Sequence, residues 1–82
     1  MSKVSVRFFA RYAELAGCTS SAVNVPTPST VADVIAKVRE VFPGTQAMPP
    51  RPLAALNRRQ AKLDAAVNEG DEVALLPPIS GG

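Results

Sequence analysis

The chain has 82 residues, enough for one small domain and too few for a second. Nine basic against seven acidic residues give a formal net charge of +2, too small and too scattered to indicate a nucleic-acid-binding surface. With no histidine and one cysteine, Cys18, the sequence excludes an internal disulfide and a thiolate metal cluster, and we expect no metal site. The adjacent Arg58 and Arg59 are interpreted as a solvated turn, with a contact to an acidic partner as the alternative.

The first third of the chain predicts two strands around a short helix. The opening "MSKVSVRFFAR" alternates instead of forming a continuous apolar block, so we expect no signal peptide, no membrane span and a cytoplasmic location. "KVSVRFFA" predicts a half-buried strand with Phe9 directed away from the core. "ARYAELAG" predicts a short helix ended by Gly17, and "SSAVNVP" a second strand ended by Pro26. The core-facing residues of the first strand are Val4, Val6 and Phe8.

The segment "STVADVIAKVREVFPG" predicts one amphipathic helix lying on a sheet. Thr30 and Asp33 have the spacing of a capping box, and Pro43 and Gly44 end the helix. The apolar residues at helical spacing are Val31, Val34, Ile35, Val38 and Phe42.

The second half of the chain predicts a proline-rich connector followed by strands. "TQAMPPRP" has three prolines in eight residues and predicts an irregular, stiff loop, with a proline-rich ligand for another domain as the alternative. "LAALN" and "RRQAKL" predict two extended segments, "NEGD" a turn around Gly70, and "EVALLP" the final strand.

This order of elements indicates an α+β fold: a mixed sheet of four to five strands with one main helix on one face. We expect the last strand to lie in the middle of the sheet, beside the first. Pro77 and Pro78 stop that strand after Leu76, because proline cannot donate a ladder hydrogen bond, and they direct the chain away from the sheet. Residues 1–76 are therefore predicted to form the domain, and residues 77–82 a flexible tail that reaches roughly 20 Å.

The sequence closes on Gly81 and Gly82, a pair that arises by chance at the end of about one chain in 200. Glycines have no Cβ and can lie close to catalytic groups in a narrow channel. A terminal carboxylate on Gly82 is an anion near neutral pH and can attack an activated phosphate. Because the chain offers no catalytic base, nucleophile pair or phosphate loop, we interpret it as the molecule acted upon, with sulfur or an amine attacking the resulting acyl-adenylate.

Three segments, "VRFFARYAELAG", "LAALN" and above all "NEGDEVALLPPISGG", resemble the small subunit of molybdopterin synthase, a ubiquitin-like β-grasp sulfur carrier. The resemblance covers nearly the whole chain. It implies that an ATP-dependent activating enzyme of the ubiquitin-activating type adenylates Gly82 and that a sulfur donor converts the adenylate to a thiocarboxylate. The large subunit of molybdopterin synthase then receives the tail, and the sulfur passes to a cyclic pyranopterin precursor. A heterotetramer is implied, with two small subunits flanking a large-subunit dimer, and no bound cofactor.

The same resemblance assigns roles to individual residues. Gly82 accepts first AMP and then sulfur, and Gly81 is the slender neighbour that allows the tail to be threaded. Phe9 and Leu76 correspond to an apolar docking patch for the partner. The catalytic lysines of the family belong to the large subunit, so no lysine of this chain receives that role. The rest of the tail motif is Pro77, Pro78, Ile79 and Ser80.

The chain departs from the family pattern at two places, and other functions stay open. Family members often carry an aromatic residue where Leu75 and Leu76 stand, and an apolar residue where this chain has "RRQAK", so we expect docking that is either weaker or tuned to a different partner surface. The alternatives are a sulfur carrier for thiamine, cysteine or tRNA thiolation, a protein modifier joined to amines, and an interaction domain with incidental glycines. Thiamine carriers are usually shorter and lack the "FFARYAELAG" opening.

Overall fold

The computed structural model describes residues 1–26 and 28–78. The predicted tail residues Ile79, Ser80, Gly81 and Gly82 lie outside the described residues. In chain order the elements are β1 (Ser2–Phe8), α1 (Arg11–Ala16), β2 (Ser20–Val25), β3 (Ser29–Thr30), α2 (Val31–Val41), a 3₁₀ turn (Pro43–Ala47), β4 (Leu53–Leu56), β5 (Arg59–Ala61), β6 (Ala66–Val67) and β7 (Glu72–Leu76).

The main sheet has five strands in the order β2-β1-β7-β4-β5. The final strand, β7, runs parallel to β1 on one side and antiparallel to β4 on the other. This arrangement confirms the predicted mixed sheet with its last strand in the centre. A second, two-stranded sheet of β3 and β6 was not predicted, because strands of two residues are too short to show an alternating pattern.

The helix α2 covers one face of the main sheet and is held at its start by the predicted capping box. The Thr30 backbone N–H donates to the Asp33 carboxylate at 2.8 Å, and the Asp33 N–H donates to the Thr30 hydroxyl. Phe42 caps the other end, and its ring meets that of Phe8 edge to face with centroids 5.5 Å apart. The helix buries Val31, Val34, Ile35 and Val38 against the strands, as predicted.

The connector after α2 is more regular than the sequence indicated. The prediction of an irregular loop is wrong for its first part, since Pro43–Ala47 forms a 3₁₀ turn. The Arg39 guanidinium, one turn back on α2, donates to the backbone carbonyls of Thr45 and Met48. Met48 and Pro52 are buried. A side chain from outside the segment therefore fixes its backbone, which supports the interpretation as a stiff connector.

The described residues contain neither a membrane-spanning helix nor a metal-binding cluster. Neither α1 nor α2 is long and apolar enough to cross a membrane. Among residues 1–26 and 28–78, no three histidine, cysteine or acidic side chains come together in a way that could hold a metal ion. Cys18 is half-buried against the core.

Candidate docking face and tail root

The register of the three central strands places one row of side chains on each face of the sheet. Phe8 pairs with Leu75, and Leu75 pairs with Ala54, and all three side chains are buried on the side of α2. The neighbouring residue on each chain segment points to the opposite face, because side chains alternate along a strand. We call these neighbours, Phe9, Leu76 and Leu53, the outer row.

The outer row is apolar and open to solvent. Phe9 is 39% exposed, Leu53 is 41% exposed, and Leu76 is half-buried. Leu76 lies directly beside Leu53 across the β7–β4 pair. Large apolar side chains that are exposed together indicate a contact surface for another molecule.

Phe9 and Leu76 each follow one residue of the Phe8–Leu75 pair, and their role in docking stays a prediction. Leu53 is a residue of this face that the sequence reasoning missed. Leu53 is the first residue of "LAALN", whose alternation with buried Ala54 was the signal that could have found it. Leu75, in contrast, is completely buried on the core face. Of the two leucines where the family often carries aromatics, only Leu76 belongs to the outer face.

A shallow groove of about 310 Å³ adjoins the outer row. Pro77, the residue at which the chain leaves β7, forms one edge of this groove and is half-buried. Pro78 is exposed. The tail root and the apolar face are therefore continuous. The groove is lined by Leu53, Ala54, Ala55, Gln60, Leu76 and Pro77.

The position of Leu53 beside Leu76 is fixed at the other end of the two strands by Asn57. The Glu72 N–H donates to the Asn57 side-chain oxygen at 2.9 Å, and the Asn57 N–H donates to the Glu72 carbonyl at 2.8 Å. Asn57 and Arg58 have positive φ values of 51° and 72°, which suit a two-residue hairpin turn from β4 to β5. Asn57 therefore sets the register between β4 and β7.

The position of Phe9 is fixed by a strained bend. Ala10, the next residue, has φ 50° and ψ −126°, a conformation that favours glycine over any residue with a Cβ. The bend ends β1 and starts α1, where the Tyr12 N–H donates to the Phe9 carbonyl at 3.0 Å. Phe9 is thus held at the corner between a strand and a helix.

Arg7 lies on β1, two residues before Phe9 and on the same face of the sheet. Its guanidinium carbon lies 5.7 Å from the centroid of the Phe9 ring, within the range of a cation–π contact. The outer row with Arg7 thus consists of apolar side chains and a cation, and the adjoining groove adds the polar side chain of Gln60. Such a surface suits contact with a protein, and the covalent chemistry predicted for Gly82 concerns a residue beyond the described part.

The comparison with protein families decides the relationship. The model of the ThiS family matches residues 6–82 of the sequence. The chain belongs to the ThiS family. Within this family, a protein of Arabidopsis thaliana named molybdopterin synthase sulfur carrier subunit is 32% identical over 80 residues, which span 98% of this chain and 83% of the relative. The predicted resemblance to the molybdopterin synthase small subunit is confirmed.

Solved structures confirm the β-grasp fold of this ThiS-family chain. Small archaeal modifier protein 1 of Haloferax volcanii is 26% identical, with a TM-score of 0.89 over 96% of this chain and 100% of that one. A subunit in the complex of subunits 1 and 2 of the molybdopterin-converting factor from Helicobacter pylori has a TM-score of 0.68 over 98% of this chain and 99% of that one. At 23% identity this second likeness concerns the fold alone, and that neighbour is bound to a partner subunit.

Proposed function

We propose that this chain is the sulfur carrier subunit of a molybdopterin synthase and that it works in molybdenum cofactor biosynthesis. The observation that carries the proposal is the family match, which begins at residue 6, within β1, and continues through the outer row to residue 82. The Arabidopsis relative with that function is similar over nearly the whole length of this chain.

The chemistry takes place on the carboxylate of Gly82. One carboxylate oxygen attacks the α-phosphorus of ATP in an activating enzyme, so that an acyl-adenylate forms and pyrophosphate leaves. Sulfur delivered by the donor as hydrosulfide then attacks the acyl carbon, AMP leaves with the electrons of the acyl–oxygen bond, and loss of the S–H proton leaves a thiocarboxylate. ATP is a substrate of the activating enzyme, and the chain carries its sulfur covalently. This chain supplies the acyl group and no catalytic side chain.

The described residues supply docking and direction. The outer row provides an apolar surface for a partner, and Pro77 leaves the sheet at the edge of that surface. Proline at Pro77 and Pro78 favours an extended course, so that a docked partner receives the tail in a defined direction. Gly81 then allows close approach to a catalytic channel. The partners of this proposal are the activating enzyme, the sulfur donor and the large synthase subunit, the last in a heterotetramer.

The test is the intact mass of the chain after incubation with the activating enzyme, ATP and a sulfur source. We expect the C-terminal peptide to gain the mass difference between one sulfur and one oxygen, and omission of ATP to prevent the gain. Addition of the large subunit and the pyranopterin precursor should then yield molybdopterin. A chain that gains sulfur but yields no molybdopterin would belong to another thiolation pathway.

A protein modifier is the second candidate, because the archaeal modifier protein shares the fold at a TM-score of 0.89. In that case an amine would attack the activated Gly82, AMP would leave, and an isopeptide bond would form. The same incubation, repeated with cell extract, distinguishes the two functions. Lysine peptides of other proteins that carry the C-terminal residues of this chain, without any sulfur gain on the free chain, would contradict the carrier function.

A further inference from the structure

Arg7 carries an exposed guanidinium beside the outer row. Its side chain is exposed on the outer face, where Arg7 pairs with Ser20 on β2 and with Ala74 on β7. Within residues 1–26 and 28–78, its only recorded side-chain interaction is the contact with the Phe9 ring. Glu72, two residues before Ala74 on β7, forms no ion pair with it. The hydrogen-bond donors of this guanidinium are therefore left to solvent or to a partner.

The hydration of the Arg7 guanidinium depends on whether a partner covers the outer row. The guanidinium lies over the ring of Phe9, so a partner that covers this ring must also cover or displace the guanidinium. A planar guanidinium carries five N–H donors and keeps its charge at any physiological pH. Removal of water from such a group opposes binding unless the partner supplies acceptors.

We infer that the partner surface that docks on the outer row carries an aspartate or glutamate. This carboxylate lies beside the apolar part of the partner surface and binds the Arg7 guanidinium. A carboxylate matches the fork of the guanidinium with two parallel hydrogen bonds and compensates its lost hydration. The inference rests on the proposed function, because the partner tested is the large synthase subunit. Arg7 is thereby a specificity residue, because a partner with the same apolar surface but no carboxylate binds more weakly.

The charges around the outer row agree with an acidic partner. Arg51 and Lys62 line the groove that adjoins the row on the β5 side, and Arg7 lies on the β1 side. A single acidic residue, Asp64, is among the residues of that second groove. Three cations, Arg7, Arg51 and Lys62, thus lie near the apolar row against two acidic residues, Glu72 and Asp64. This excess of positive charge favours a partner rim of opposite charge.

The experiment measures the dissociation constant of this chain for the large synthase subunit at low and high salt. R7Q removes the charge and keeps hydrogen-bonding ability, R7E reverses the charge, and K37Q is the matched control on the opposite face, where Lys37 pairs with Glu40. We expect R7Q to weaken binding about tenfold or more, because the partner's carboxylate loses its counter-charge, and R7E to weaken it further. The remaining binding of R7Q should depend less on salt, whereas K37Q should behave as the unaltered chain.

A second measurement identifies the carboxylate. R7K places a primary amine at this position, and a carbodiimide should join it to an acidic residue of the large subunit, which peptide mapping then locates. R7Q binding as tightly as the unaltered chain, or more tightly, would overturn the inference, as would a bound R7K that forms no cross-link from position 7. If the unaltered chain gains sulfur on Gly82 while R7Q binds normally, only the inference about Arg7 fails. If the unaltered chain does not bind the large subunit, both the inference and the proposed function fall.

Discussion

Leu76 and Leu53 lie side by side across the β7–β4 pair, on the face of the sheet that α2 leaves uncovered. This pair joins the last strand of the domain, from which the tail departs, to an apolar surface formed by a different part of the chain. A partner that binds this surface therefore also fixes the position of Pro77, where the tail begins.

The first prediction concerns the outer row. L53D, L76D and F9D should each weaken binding to the large subunit by about 2 kcal/mol or more, because a charged group would be buried in an apolar contact. V41D is the matched control, since Val41 is 46% exposed and lies on α2. Isothermal titration provides the affinities, and the unfolding free energy of each variant shows whether its fold is retained. Equal affinities for L53D and V41D would remove Leu53 from the docking surface.

The second prediction concerns the length of the tail. Deletion of Gly82, or addition of one residue after it, should abolish sulfur gain, because the activating enzyme would no longer meet the correct carboxylate. Neither change should alter the free energy of unfolding, since the core is formed by residues up to Leu75. Mass spectrometry and denaturant unfolding measure the two effects. A chain extended by one residue at the exposed Met1 is the control, and normal molybdopterin formation by either tail variant would defeat the assignment.

The third prediction concerns the buried hydroxyl of Tyr12, which has no hydrogen-bond partner among the described residues. Burial raises the pKa of this hydroxyl above its ordinary value of 10.0, and the positive charge of Arg39 offsets part of the effect. The folded state thus prefers the neutral form. The fold therefore keeps its full stability with respect to Tyr12 ionisation below pH 10, and loses stability as the pH rises from 10 through the raised pKa of the folded state.

Y12F tests this account because the chain contains a single tyrosine. The variant should be as stable as the unaltered chain at neutral pH or more stable by about 1 kcal/mol, since an unsatisfied hydroxyl is removed. It should also lack the loss of stability attributed to Tyr12 at alkaline pH. Denaturant unfolding at several pH values, with tyrosinate absorbance as a direct titration, provides the measurement. Destabilisation of Y12F by 1 kcal/mol or more would mean that the hydroxyl has a partner.

The fourth prediction concerns Gly44, at the contact between the 3₁₀ turn and α1. A Cβ at this position would overlap the backbone carbonyl oxygen of Leu15, which cannot move aside as a flexible side chain would. G44A should therefore destabilise the fold by about 2–3 kcal/mol. G70A is the comparison, because Gly70 has φ +85° and open space around it, and about 1 kcal/mol is expected there from the backbone alone. A smaller loss for G44A than for G70A would contradict the close packing.

Much of this architecture could be predicted because its signals are local. The alternation from Val4 to Phe9, the capping box of Thr30 and the prolines after Leu76 each act within a few residues. The 3₁₀ turn was missed because it is stabilised by a residue outside the segment: Arg39, on α2, donates hydrogen bonds to the carbonyls of Thr45 and Met48. The β3–β6 sheet was missed because each of its strands has two residues, too few to show an alternating pattern.

The candidate site divides in the same way. The outward directions of Phe9 and Leu76 follow from strand alternation, and so does that of Leu53 once its strand is known. The strained bend at Ala10 and the hydrogen bonds between Asn57 and Glu72 depend on tertiary structure, and no local sequence pattern predicts them. A role for Arg7 in docking could not be predicted from the sequence, because it depends on the position of the guanidinium over the Phe9 ring.

The most direct test of the carrier function is a single turnover. Purified chain with a thiocarboxylate on Gly82 is mixed with the large subunit and the pyranopterin precursor, without ATP or a sulfur source. We predict that molybdopterin forms while the C-terminal peptide returns to a carboxylate, with one sulfur lost from each chain that reacts. A thiocarboxylate that persists while no molybdopterin forms would contradict the account.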